Sequence, residues 1–216
     1  MTYNIISTGS KGNAVIINDE ILIDCGVPFK DIKPYIKGLK LVLLTHEHGD
    51  HFCPSTIKKL AEKRPTLRFG CGKWLINKLI ACGVQKWRLD VYSPNTRNNY
   101  IDFVSLVMIP LNHNVQNCGY KIYTEDGEKI IYATDTNDLN GIIAPNFDFY
   151  MIEANYEDNE IQQRIAEKVS KGEYAYEKDV LKNHLSKAKA DDFIIKNAGI
   201  NSRFIYLHGH GGMNFE

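Results

Sequence analysis

In Leu41-Val42-Leu43-Leu44-Thr45-His46-Glu47-His48-Gly49-Asp50-His51, four apolar residues run straight into three histidines and an aspartate. The apolar run reads as a buried strand, and Pro54 with the amphipathic Ser55 to Lys63 reads as a helix. The imidazoles are therefore predicted on a strand-to-helix turn. Residues two apart in an extended segment point the same way, so His46 and His48 can grip one cation. As the chain turns, Asp50 and His51 are thrown to the other side, where a second cation can sit. Zinc takes nitrogen and oxygen ligands of this kind, and a catalytic site leaves one position open for water. The pattern H-x-H-x-D-H arises by chance in only about one chain in two thousand of this composition, so a plain solvated loop is the weaker reading.

Outward from this turn, the chain predicts α/β architecture. Strands are expected at Tyr3 to Ile6, Ala14 to Ile17, Ile21 to Gly26, Leu67 to Phe69 and Arg88 to Tyr92, with helices at Phe29 to Ile36 and Lys73 to Ala81. Asn95 to Asn99 reads as a polar turn. A run of strands follows at Tyr100 to Ile109, Gly119 to Thr124 and Lys129 to Ala133, the last two joined by the hairpin Glu125-Asp126-Gly127. Phe149 to Glu153 and Phe204 to Leu207 read as strands. The stretch Tyr156 to Tyr176 has a helical pattern, and a helix is expected from Ser186 to Asn197. At 216 residues, with no linker or repeat, the expectation is one domain spanning 1–216.

Composition removes several function classes. The chain is 44% hydrophobic and 24% charged, as in ordinary soluble globular proteins. It has no apolar run long enough to span a bilayer and no leader-like N-terminus, which makes the cytoplasm the expected address and leaves no membrane partner. Five cysteines without a C-x-x-C pair argue for reduced thiols, with Cys53 alone close to the histidine turn. The loop Ser7-Thr8-Gly9-Ser10-Lys11-Gly12-Asn13 lacks phosphate-loop spacing. Net charge is zero but uneven: residues 55–97 hold ten Lys/Arg against Glu62 and Asp90, while 124–160 hold ten Asp/Glu against Lys129. These are either two solvated faces or, for the basic segment, an approach surface for a phosphate-bearing substrate.

The remaining histidines stand at strand ends or helix heads. His113 can serve as a third ligand beside His46 and His48. Asp135 ends an apolar strand and has two oxygens, so it can bridge two cations. His208 follows the last strand and can complete the second metal, with His210 as its rival. Asp24 either caps its loop or orients a metal-binding histidine from behind. His184 is either a helix-head residue without chemistry or a group that faces substrate.

Together the segments I-D-C-G, T-H-E-H-G-D-H, A-T-D-T, N-H-L-S and L-H-G-H resemble the metallo-β-lactamase-fold superfamily over nearly the whole chain. T-G-S-K-G-N-A, Ile152-Glu153-Ala154-Asn155-Tyr156 and Asn183-His184-Leu185-Ser186 are similar to the YycJ/WalJ-type branch, relatives of ribonuclease Z and of nucleases. The resemblance implies a four-layer αβ/βα sandwich of two mixed sheets flanked by helices. It implies two divalent metals, zinc or else manganese: His46, His48 and His113 on one, Asp50, His51 and His208 on the other, Asp135 bridging. It also implies hydrolysis by a metal-bridging hydroxide, with Asp50 and His184 catalytic. Lactamase-type amide hydrolases usually carry a cysteine where Asp135 stands, so a phosphodiester substrate, DNA or RNA, is expected. The alternative is a small-molecule hydrolase cleaving a cyclic nucleotide, a phosphonate-pathway diester or a lactone. Two departures stand out: Gly49 replaces the usual Ser or Ala, and the last histidine lies in H-G-H-G-G.

Overall fold

A computed structural model of the chain describes residues 1–209. It divides into two compact units, Met1–Thr96 and the chain from Arg97 onward. Unit 1 holds a six-stranded mixed sheet, in sequential order, of β1 (Tyr3–Ser7), β2 (Ala14–Ile17), β3 (Ile21–Ile23), β4 (Leu41–Leu44), β5 (Arg68–Cys71) and β6 (Leu89–Val91). The first three strands pair antiparallel, and β3 to β6 run parallel. Helices α1 (Phe29–Ile32), α2 (Pro54–Lys63) and α3 (Ile76–Ala81) make the crossovers. Both faces of β4 are buried, with Leu41 through Leu44 fully enclosed. That is why the run is continuously apolar and does not alternate. Ile57, Leu60 and Ala61 of α2 pack on the face that carries Val42, Leu44, Phe69 and Cys71.

Unit 2 repeats the scheme in reverse. Its sheet runs β12 (Arg203–Leu207), β11 (Phe149–Glu153), β10 (Lys129–Ala133), β9 (Asn117–Thr124), β8 (Val104–Leu111) and β7 (Arg97–Tyr100), in that order. β10, β11 and β12 are parallel and the others antiparallel. Helices α4 (Asp158–Ser170), α5 (Glu177–Asn183) and α6 (Lys187–Asn197) follow β11. Ala190, Phe193 and Ile194 of α6 pack with Ile131, Ala133, Tyr150 and Ile152 of the sheet. Among the described residues no helix is long and apolar enough to cross a membrane, and all five cysteines are free.

Three differences from the sequence reading have local causes. The expected strand Tyr100 to Ile109 is two strands, because Asp102 adopts a left-handed backbone (φ 52°) and closes a turn that leaves Ile101 90% exposed. That shift makes Arg97–Tyr100, read in part as a turn, the partner of β8. The helix α5 was not expected; of its seven residues only Glu177 is buried, so it lacks an apolar stripe. The Glu125-Asp126-Gly127 hairpin forms as expected, with Gly127 at φ 84°.

Arg88 fastens the end of α2 to the sheet. Its buried guanidinium donates to the carbonyls of Ala61 (2.9 Å), Arg64 (2.7 Å) and Leu67 (2.8 Å). The Ala61 carbonyl is one of the orphan carbonyls of the helix C-terminus. Arg88→Ala is expected to cost about 3 kcal/mol, since hydrogen bonds from a charged donor are lost together and buried acceptors are left unpaired. Urea denaturation would measure this, and Arg88→Lys should recover only part of it because an ammonium cannot span the same fork.

Candidate metal centre

In unit 1 the sheet itself sets the geometry. β3 and β4 are parallel in the register Ile23↔Leu43, so Asp24 and Thr45 leave the sheet at the same end. Asp24 takes a left-handed backbone (φ 57°) and is fully buried. Its carboxylate accepts from the Thr45 amide (2.9 Å) and Thr45 Oγ1 (2.9 Å), and it faces His51 Nδ1 at 2.7 Å. Thr45 Oγ1 in turn lies 2.9 Å from His46 Nδ1. One buried carboxylate thereby fixes two imidazoles, His51 directly and His46 through Thr45. With Nδ1–H engaged in each ring, the lone pair is left on Nε2, the arrangement a metal ligand needs. The expectation that Asp24 orients a histidine matches this geometry.

The turn that follows is tight, with the His48 carbonyl accepting from both His51 N (2.9 Å) and Phe52 N (2.8 Å). It draws all three rings together. His46 Nε2 lies 3.2 Å from His48 Nδ1, and the His46 and His51 ring centroids are 4.2 Å apart. Sequence reasoning expected His51 on the far side from His46; the two hydrogen bonds that His51 N and Phe52 N donate to the His48 carbonyl curl it back. Asp50 stays half-exposed, with Oδ2 at 3.9 Å from His51 Nε2. Gly26 makes room for this turn, since a Cβ there would fall 1.7 Å from the Asp50 carbonyl. Asn13, buried beneath, donates toward His51 Nε2 at 2.8 Å, onto the lone pair that a bound ion would take in its place, and holds the Asp50 carbonyl through its own amide. Burial and the neighbouring Asp24 charge push the Cys25 thiol well up, so Cys25 stays a neutral thiol. Cys53 points its sulfur at Ser55 (3.3 Å), and no cysteine belongs to a metal-competent cluster of the described residues.

Unit 2 gathers the other predicted residues from the ends of β8, β10 and β12 and from the C-terminus of α5. Asp135 (φ 56°) and His208 (φ 58°) share the left-handed conformation of Asp24. Asp24 and Asp135 follow buried strands and His208 follows the half-exposed β12, and all three carry the kind of backbone strain that collects at functional sites. Asp135 Oδ2 accepts from Thr134 Oγ1 (2.7 Å). Its Oδ1 faces His184 Nδ1 and His208 Nε2, each at 3.6 Å, and His113 Nε2 at 3.9 Å. His113 Nδ1 donates to the Asn183 carbonyl (3.1 Å), which again turns Nε2 toward the Asp135 carboxylate. The His184 and His208 rings stack at 5.1 Å. His210 lies outside the described residues.

Sequence reasoning gave Glu153 no role, yet it is the hub of this cluster. Fully buried at the end of β11, its Oε1 sits 2.6 Å from His184 Nδ1 and 3.4 Å from His208 Nδ1, while Oε2 accepts from Thr136 N (2.9 Å). The available signal was an acid closing an otherwise apolar strand, as Asp24 and Asp135 do. Asn155, also missed, donates to the His208 carbonyl (2.9 Å) and fixes the turn there. Asp135, Glu153, His184 and His208 offer ligand atoms that all lie within 4.8 Å of one another. Two buried carboxylates in so small a volume call for a compensating positive charge. The donor set therefore fits divalent cations.

The chain matches the family described as the beta-lactamase superfamily domain over residues 19–171. No curated protein matches it in sequence. Among solved structures it is similar to the metallo-beta-lactamase fold protein YhfI from Bacillus subtilis, with 18% identity, a TM-score of 0.72, and coverage of 98% of this chain and 87% of that one. It is similar to the short form of human tRNase Z (14% identity, TM-score 0.67, covering 97% and 92%). It is also similar to Zn(2+)-bound PqqB from Methylobacterium extorquens (12% identity, TM-score 0.67, covering 97% and 89%). These likenesses show the fold.

Proposed function

The chain belongs to the beta-lactamase superfamily, and on that premise we propose that it is a di-metal phosphodiesterase of the nuclease kind, a single-domain cytoplasmic enzyme. The observation that carries this reading is the unit 2 cluster. A carboxylate, Asp135, stands among the imidazoles where a thiolate would suit amide hydrolysis, and His184 is held at 2.6 Å by a carboxylate of its own. The likeness to a structure named tRNase Z agrees with it.

His46, His48 and His113 would hold one ion, and Asp50, His51 and His208 the other, with Asp135 giving one oxygen to each. Zinc is the proposed metal and manganese the alternative. When bound, the ions supply a water of near-neutral pKa and neutralise phosphoryl oxygens. Asp50, half-exposed beside His51, orients the attacking water and takes its proton on a carboxylate oxygen. His184 keeps Nδ1–H on Glu153 Oε1, which leaves Nε2 as the atom that passes a proton to the leaving oxygen.

Elemental analysis should find about two divalent ions per chain. Wild type should turn over bis-p-nitrophenyl phosphate and cleave labelled nucleic acid, and Asp50→Ala should lose about a hundredfold or more. Metal-loaded wild type that touches neither substrate would sink the proposal. Turnover of the small diester alone would move the substrate to a small molecule.

A further inference from the structure

Unit 1 carries a second constellation at the other end of its sheet. β4, β5 and β6 are parallel, and the histidine turn follows the C-terminal end of β4. At their N-terminal ends stand Lys40, Arg68 and Trp87. Trp87 is 65% exposed, an unusual position for the largest apolar side chain. Its base is nonetheless rigid. The Trp87 carbonyl accepts from Arg68 Nη1 (3.4 Å), the indole N–H is directed to Gln85 Oε1 (3.1 Å), and the next residue is the clamped Arg88. The indole is thus held out in solvent on a fixed backbone.

Basic residues neighbour it in the chain and across the Arg88 clamp. The Arg88 clamp ties Trp87 to the end of α2, where Lys63 is exposed and Arg64 half-buried, and Lys86 is exposed beside it. Arg68 is paired with Asp90 and Lys40 with Glu20, and Arg64 donates its Nε–H to the Leu39 carbonyl (3.2 Å), which leaves Lys63, Lys86 and the outer nitrogens of Arg64 as the cations of the patch. An exposed aromatic plate flanked by cations is what unpaired nucleotides require, because bases stack on the ring while phosphates meet the ammonium and guanidinium groups. In a duplex the base faces are already stacked on one another, so the plate has nothing to take.

We propose that Trp87, with Lys63, Arg64 and Lys86, is a stacking platform for a single-stranded stretch of the nucleic acid substrate. This inference rests on the phosphodiesterase reading and narrows its substrate to a polymer. The platform lies at least one strand length from the histidine turn. At about 3.3 Å per residue over β4, that is roughly 13 Å, which a single strand needs several nucleotides to span. Trp87 therefore contributes only to strands longer than this.

The test is binding of a labelled phosphorothioate oligouridylate, well above that length, to the metal-loaded protein. Trp87→Ala is expected to weaken binding about 5- to 100-fold, with Trp87→Phe restoring most of it. Lys63→Glu with Lys86→Glu should weaken binding and flatten its salt dependence by about 0.7 per removed contact. Turnover of bis-p-nitrophenyl phosphate should stay at the wild-type level in all three. Wild-type affinity in Trp87→Ala overturns the proposal. So does equal Trp87-dependent binding of a duplex, or of polyglutamate, which would make the patch a duplex or acidic-protein surface. Trp87-dependent binding in a protein that hydrolyses no diester would leave the platform standing and remove the enzyme reading, so the two failures are distinct.

Discussion

Asp24→Ala is expected to destabilise the protein by about 3–5 kcal/mol and to abolish metal retention by the histidine turn. The substitution removes one carboxylate but strands three donors, namely the Thr45 amide, Thr45 Oγ1 and His51 Nδ1, all in a fully buried position. Water reaches none of them easily, so the penalty is that of unpaired buried groups and not of a surface contact. Asp24→Asn separates folding from metal binding. Asparagine keeps the shape, tolerates the left-handed backbone at φ 57°, and still accepts from Thr45 through its oxygen. Its NH2 then faces His51 Nδ1, which must become an acceptor, and the proton moves to Nε2, where it blocks ligation. The expected outcome is a fold within about 1–2 kcal/mol of wild type and metal affinity lower by about 10- to 100-fold. Urea denaturation and zinc competition against a chromophoric chelator would measure the two effects. Wild-type zinc affinity in Asp24→Asn would falsify the tautomer argument.

The same residue shows how much of the site the sequence discloses. Asp24, Asp135 and Glu153 all close buried strands, and a carboxylate in that position is legible because burial forbids it unless something pairs with it. Asp24 and Asp135 were read that way. Glu153 was passed over, because nothing in Phe149-Tyr150-Met151-Ile152-Glu153 says which histidines lie across the strand end. That depends on parallel pairing of β11 with β12, a contact between residues more than fifty apart. His46 with His48 was legible from spacing alone. The return of His51 toward His46 was not, since it comes from two amides sharing the His48 carbonyl. The strand error has a local origin: Asp102 looks like any polar residue in an apolar run, and only its left-handed backbone makes it a turn.

His184→Ala is expected to lower cleavage of nucleic acid by about 10²- to 10⁴-fold with metal content unchanged. The ring has no assigned ligand role, whereas its Nδ1 is already committed to Glu153 Oε1 at 2.6 Å. A ring used as a proton donor has a leaving-group signature that a structural ring lacks. Departure of an alkoxide from a nucleotide needs a proton, while p-nitrophenolate leaves without one. The loss in His184→Ala should therefore be at least tenfold smaller for bis-p-nitrophenyl phosphate than for an oligonucleotide. Glu153→Gln gives the complementary result. Glu153 accepts at both oxygens, from Thr136 N and from His184. Glutamine can serve only one of these as an acceptor, and the amide of Thr136 cannot reverse its role. The NH2 therefore turns to His184 Nδ1, which loses its proton and leaves only a neutral Nε2–H, a far weaker acid than the imidazolium that Glu153 can support. Glu153→Gln should thus reproduce the substrate-dependent loss of His184→Ala, and the double variant should be no worse than either alone. Losses that multiply in the double variant, or equal losses on both substrates, would show that the pair holds the cluster together and moves no proton.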